Sequence, residues 1–146
     1  MKTSPHKSST DEPVPQAIRT LLVDDSPLML KILAQILAGE GGFTVVGAAT
    51  NGRQALHYVS TLLPDLILMD FNMPYMDGAK TTQFIKQFAK PPIVFMVTSD
   101  DSSNSRSMSQ AAGADAFIVK SEDLCAQLRS KLKEWFGEAG NQRKGP

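Results

Sequence analysis

The chain predicts an α/β fold of the doubly wound kind: a five-stranded parallel sheet with helices on both faces. Three observations carry this expectation. Five short apolar runs alternate with segments of helical periodicity. The runs are continuous rather than alternating, as in strands buried on both faces. Four of them end abruptly in polar residues: Asp24-Asp25, Asp70, Thr98 and Lys120. Alternating units of this length imply right-handed crossovers that leave all strand ends on one edge of the sheet.

Ile18 to Val23 is the first strand. Ser26-Pro27 then caps and starts a helix running to about Ala38, where Gly39 and the Gly41-Gly42 pair stop it. Phe43 to Ala48 is the second strand. Asn51 opens a helix with Ala55, Leu56 and Val59 on one face. Leu66 to Met69 is the third strand and delivers Asp70 to its carboxyl end, the place where open α/β sheets put their binding crevice. Turn chemistry follows in Asn72, Met73-Pro74 and Asp77-Gly78, and a third helix is expected from Gly78 to about Phe88. Ile93 to Val97 is the fourth strand, ending in Thr98-Ser99-Asp100. Ser102 to Ala112 is a weak helix because serine competes for backbone hydrogen bonds, and Gly113 closes it. The segment from Asp100 to Gln110 is accordingly expected to be mobile. Ala116 to Val119 is the last strand, ending in Lys120. Ser121 is then expected to cap a final helix, with Leu124, Leu128, Leu132 and Trp135 at helical spacing.

With 146 residues the chain fits one domain. Lys plus Arg and Asp plus Glu are 15 each, so no bulk field favours nucleic acid or an anionic surface, and direct nucleic-acid binding is not expected. The single cysteine excludes an internal disulfide and fits a reducing, cytoplasmic setting. No run approaches the ~20 apolar residues of a spanning helix, so membrane insertion is not expected. The polar ends, 1–16 and 137–146, read as flexible tails around a domain over 17–136.

The strand-end set has a definite chemistry. Asp24, Asp25 and Asp70, brought together, would repel one another unless a hard cation neutralised them, and Mg²⁺ takes one or two carboxylates with water and phosphate oxygens. A hydroxyl, Thr98, and an ammonium, Lys120, are the donors that would hold the remaining oxygens of a phosphoryl group. Carboxylate nucleophile, metal, hydroxyl and lysine together describe an aspartyl-phosphate site.

The order Asp-Asp, then Pro-Asp-Leu-Ile-Leu-Met-Asp-x-x-Met-Pro-x-Met-Asp-Gly, then Val-Thr-Ser, then Phe-x-x-Lys resembles the receiver domain of two-component response regulators. The resemblance implies a flavodoxin-like sheet of order 2-1-3-4-5, a fold for which a chemotaxis regulator is a standard example. It implies that Asp70 takes a phosphoryl group from a histidine kinase or phosphotransfer protein with Mg²⁺. Asp25, Asp70 and the Asn72 backbone carbonyl would hold the metal, Asp24 would act through water, Thr98 and Lys120 would bind phosphoryl oxygens, and Phe117 would join Thr98 in switching. No output domain follows in this sequence, so a stand-alone receiver acting on a downstream protein is expected, with no enzymatic activity beyond its own phosphorylation and dephosphorylation. Ser121 stands where the family usually has a proline with a cis bond. A non-proline cis bond costs about 3 kcal/mol, so a trans Lys120-Ser121 bond is expected, with the ammonium still reaching Asp70.

Taken singly, each residue has a plainer account. An acidic pair at a strand end is commonly a helix cap, a lone lysine is commonly solvated, and Phe117 is simply core. His6 and His57 read as surface residues, Cys125 as a buried small hydrophobe, Met73 and Met76 as loop packing, and Trp135 as packing for the last helix. A haloacid-dehalogenase-like phosphatase would want an acid two residues after the nucleophile, where Asn72 stands. A receiver-like binding module independent of phosphorylation is the surviving alternative.

Overall fold

The computed structural model describes residues 16–137. The tails expected over 1–16 and 137–146 lie, apart from Gln16 and Gly137, outside the described residues, as does His6. The element order is β1 (Ile18–Val23), α1 (Pro27–Glu40), β2 (Phe43–Ala49), α2 (Gly52–Leu62), β3 (Leu66–Met69), α3 (Gly78–Ile85), β4 (Ile93–Thr98), α4 (Ser103–Ala112), β5 (Ala116–Val119) and α5 (Leu124–Phe136). All strand pairs are parallel and the sheet order is β2-β1-β3-β4-β5, as expected.

Continuous apolar strands are explained by two separate cores. One face of the sheet presents Leu22, Leu66, Leu68, Phe95, Val97 and Ile118 to α1 and α5; the other presents Leu21, Val23, Ile67, Met69, Val94 and Met96 to α2, α3 and the end of α4. Each side chain buried this way contributes roughly 1.5–3 kcal/mol, so neither face of a central strand can be made polar cheaply. Phe136, fully buried, extends the Leu124, Leu128, Leu132 stripe and meets Phe43 edge-on, while Trp135 is only half-buried and lies against Phe95.

Several boundaries and one burial differ from expectation; β2 runs one residue further, to Ala49. α1 runs through Gly39 to Glu40, because a helical glycine costs only about 1 kcal/mol and Glu40 is anchored by Arg129 of α5; Gly41, at φ 69°, makes the stop. α3 ends at Ile85, three residues early, as Gln87 and Phe88 bond back to Phe84 and Ile85 in a tightened final turn. Lys86 there turns away to the Pro92 carbonyl and Asp115. Ser121 does not cap α5: its hydroxyl donates to Asp123 Oδ1 at 2.6 Å, and the cap position is Asp123, whose side chain makes no cap bond. Cys125 is half-buried rather than buried, its sulfur 3.2 Å from an Arg129 guanidinium nitrogen. α4 forms despite its serines because Ser102 caps it and Ser105 and Ser109 are buried on its inner side. His57 is exposed, and Met73 packs against the α2-α3 core.

Candidate functional site

Backbone bonds at the carboxyl edge fix the strand ends relative to one another. Asp24 N–H donates to Ala49 O, Asp70 N–H to Val23 O, and Lys120 N–H to Thr98 O, at 3.0, 2.9 and 2.8 Å. Side chains leaving these residues therefore share one crevice. Oxygens from Asp24, Asp25 and Asp70 lie within 4.8 Å of one another. Asp24 and Asp70 are buried and Asp25 is exposed.

Lys120 answers that charge. Its Nζ lies 2.7 Å from Asp24 Oδ2 and 3.3 Å from Asp70 Oδ1, with only 14% of its side chain exposed. The closer partner is Asp24, whose other oxygen accepts from Ser26 N–H at 2.9 Å. Sequence reasoning missed that pairing, because it joins residues 96 positions apart and nothing local announces it. The Lys120-Ser121 bond is trans, as expected, and the ammonium reaches Asp70 regardless.

Burial pushes the Asp70 carboxyl up from 3.8 to about 6, against the pull of Lys120; the neighbouring charges of Asp24 and Asp25 add to the rise. Asp70 is thus largely ionised at neutral pH while lying close to protonation. Among the described residues, three carboxylates against one ammonium leave two negative charges in the crevice, which one hard divalent cation balances. The donor set, oxygen only and partly open at Asp25, fits such an ion.

Thr98 is fully buried at the end of β4, and its hydroxyl oxygen accepts from Asp100 N–H at 3.2 Å. Asn72 is exposed, and the nearby Asp100 carboxyl is held below the usual range chiefly by hydrogen bonds from Ser105 and Ser102. Phe117 is half-buried on the α4 side of the sheet rather than among the carboxylates, with the Arg106 guanidinium 4.5 Å from its ring centre. Gly78 also proves to be part of the site. Its N–H donates to Phe71 O at 2.7 Å, and a Cβ there would lie 2.1 Å from the Asp70 carbonyl oxygen, so only glycine lets the loop fold back over the end of β3.

The response regulator receiver domain family profile matches residues 20–133. The protein-glutamate methylesterase/protein-glutamine glutaminase 2 of Methanospirillum hungatei JF-1 is 42% identical over 102 residues, covering 70% of this chain and 29% of that protein. The corresponding protein of Nocardioides sp. is 35% identical over 115 residues, covering 77% of this chain and 31% of its own. This chain spans less than a third of the length of these two relatives, and the activities in those names are theirs. The response regulator domain of Thermotoga maritima CheB superposes with a TM-score of 0.71 at 32% identity, over 82% of this chain and 92% of that one. A chain of the CheX-CheY-BeF3-Mg+2 complex from Borrelia burgdorferi gives 0.72 at 30% identity, over 81% and 89%. Among the described residues no helix is long and apolar enough to cross a membrane. With the sheet order, the strand-end carboxylates and these likenesses in agreement, the chain belongs to the response regulator receiver domains of two-component signalling.

Proposed function

We propose that Asp70 is the phosphoacceptor of this receiver and that its modification switches a protein-binding face. The observation that carries this reading is the Lys120 ammonium held between Asp24 and Asp70, at the edge of a crevice whose carboxylates keep two uncompensated charges. An ionised Asp70 oxygen forms the bond to phosphorus as the bond from phosphorus to the donor, a phosphohistidine imidazole or an acyl phosphate oxygen, breaks; the electron pair leaves with the donor. Lys120 can then hold a phosphoryl oxygen without leaving Asp24, and the Thr98 hydroxyl supplies a second donor. Asp25, Asp70 and the Asn72 carbonyl would hold Mg²⁺, with Asp24 acting through water. Bound there, the ion offsets charge on the carboxylates and phosphoryl oxygens. A histidine kinase or phosphotransfer protein is the donor class, and a downstream protein, met in the cytoplasm, reads the modified face.

The test is transfer from acetyl phosphate in the presence of Mg²⁺. Lys120→Ala and Thr98→Val are expected to slow incorporation, or change its lifetime, at least tenfold without unfolding the domain. Rates and lifetimes equal to wild type in both variants would remove the phosphoryl-binding roles given to them.

A further inference from the structure

Gln127, on the first turn of α5, meets the chain on both sides of Lys120. Its Nε2 donates to the Val119 carbonyl at 3.1 Å, to Ser121 Oγ at 3.1 Å and to Asp123 Oδ1 at 3.2 Å. Its Oε1 accepts from Val119 N–H at 3.4 Å. Two N–H groups serve three acceptors, so these bonds are shared. The amide orientation is nevertheless determined, since turning it over would set Oε1 against the Asp123 carboxylate and the Val119 carbonyl.

The sheet explains why an amide is needed here. Among the described residues β5 is an edge strand, paired with β4 alone. Lys120 spends its N–H on Thr98 of β4, so the preceding residue, Val119, turns its N–H and C=O to the open edge. A primary amide offers a donor and an acceptor in the manner of a peptide group, and Gln127 completes the ladder there for one residue. Beyond Lys120 the remaining ties are local: Leu124 N–H donates to the Ser121 carbonyl at 3.0 Å and the Ser121 hydroxyl to Asp123. Ser121, Glu122 and Asp123 are exposed, and Asp123 makes no cap bond to α5.

We propose that Gln127 is a positioning residue for Lys120: by gripping Val119 and Ser121 it fixes the backbone from which the ammonium reaches Asp24 and Asp70. A lysine side chain has a long, rotamer-rich stem, so its aim depends on where the stem begins. Displacement of a reacting group by about 1 Å can cost on the order of a hundredfold in rate. The inference rests on the phosphoacceptor reading of the site, which it deepens.

Gln127→Met keeps length and helix propensity and removes the amide. Two readouts apply. Without any phosphodonor, Lys120 acylation by an amine-reactive ester is followed by peptide mass spectrometry, with exposed Lys133 as internal reference; about a fivefold rise at Lys120 alone is expected. With acetyl phosphate and Mg²⁺, incorporation is expected to slow about five- to tenfold. In a Lys120→Ala background, Gln127→Met is expected to add no further slowing, because the two residues act as one unit. Gln127→Glu keeps an acceptor for Val119 N–H but loses the donor and sets a charged oxygen against Asp123 and the Val119 carbonyl, and is expected to move Lys120 labelling the same way. Unchanged Lys120 labelling in both variants overturns the proposal. So does undiminished slowing in the Lys120→Ala background, which would assign Gln127 a merely structural role. If wild type takes no phosphoryl group, the phosphoacceptor reading fails, and the labelling arm still decides whether Gln127 aims Lys120.

Discussion

Replacing Asp70 with asparagine is expected to stabilise the metal-free domain, and the size of the effect follows from its surroundings. Asp70 titrates near 6 in the fold against an ordinary 3.8, chiefly because it is buried. The native state therefore binds this proton more tightly than the unfolded chain does. Between about pH 4 and pH 6 stability falls as pH rises, and above about pH 6 the full cost of holding the ionised group, about 3 kcal/mol, is present. Asparagine removes the charge at nearly constant volume. It also forfeits the 3.3 Å contact with Lys120, but that ammonium keeps its closer partner, Asp24. A net gain of about 1–3 kcal/mol at pH 7.5 is expected, roughly 4–10 °C in melting temperature for a domain of this size. At pH 4 the gain is expected to shrink to a few tenths of a kcal/mol, since native Asp70 is then already protonated. Paired thermal and urea unfolding of wild type and Asp70→Asn in a chelator, at both pH values, makes the measurement. An asparagine variant no more stable than wild type at pH 7.5, or a gain that survives acidification unchanged, would refute the electrostatic account of the crevice.

Two further outcomes follow from the same geometry. Mg²⁺ is expected to raise the melting temperature of wild type by mass action, about 2.7 kcal/mol at a hundredfold excess over its dissociation constant, and to leave Asp25→Ala nearly unmoved; equal shifts in both would count against Asp25 as a ligand. Gly78→Ala is expected to cost about 2–3 kcal/mol and to slow acetyl phosphate turnover, since the new methyl must displace the Asp70 carbonyl; unfolding within about 0.5 kcal/mol of wild type would show that the loop yields freely.

Most of the architecture was legible because it is written in local pattern. Leu66 to Met69 is apolar at every position because the strand has a core on each face, and Asp70 follows it because the core ends there. What escaped reading depends on contacts between distant residues. The Asp24–Lys120 ion pair needs β1 and β5 brought to one edge. Gly78 looks like ordinary turn glycine until the Asp70 carbonyl is placed beside it. Ser121 looked like a helix cap because serine before acidic residues usually is one; here Asp123 takes the hydroxyl and Gln127 takes both. Phe136 could have been found, since Leu124, Leu128, Leu132 and Phe136 recur at intervals of four, whereas Trp135 stands off that line.

The central claim is that Asp70 is the residue that carries the phosphoryl group. Wild type and Asp70→Asn are incubated with acetyl phosphate and Mg²⁺, trapped at low pH and examined as intact protein and as peptides by mass spectrometry. The expected result is one base-labile phosphoryl adduct on the peptide bearing Asp70 in wild type and none in the variant. Equal incorporation in both, or no adduct in wild type under conditions where Mg²⁺ binds, would contradict it, the second outcome leaving a binding module that works without phosphorylation.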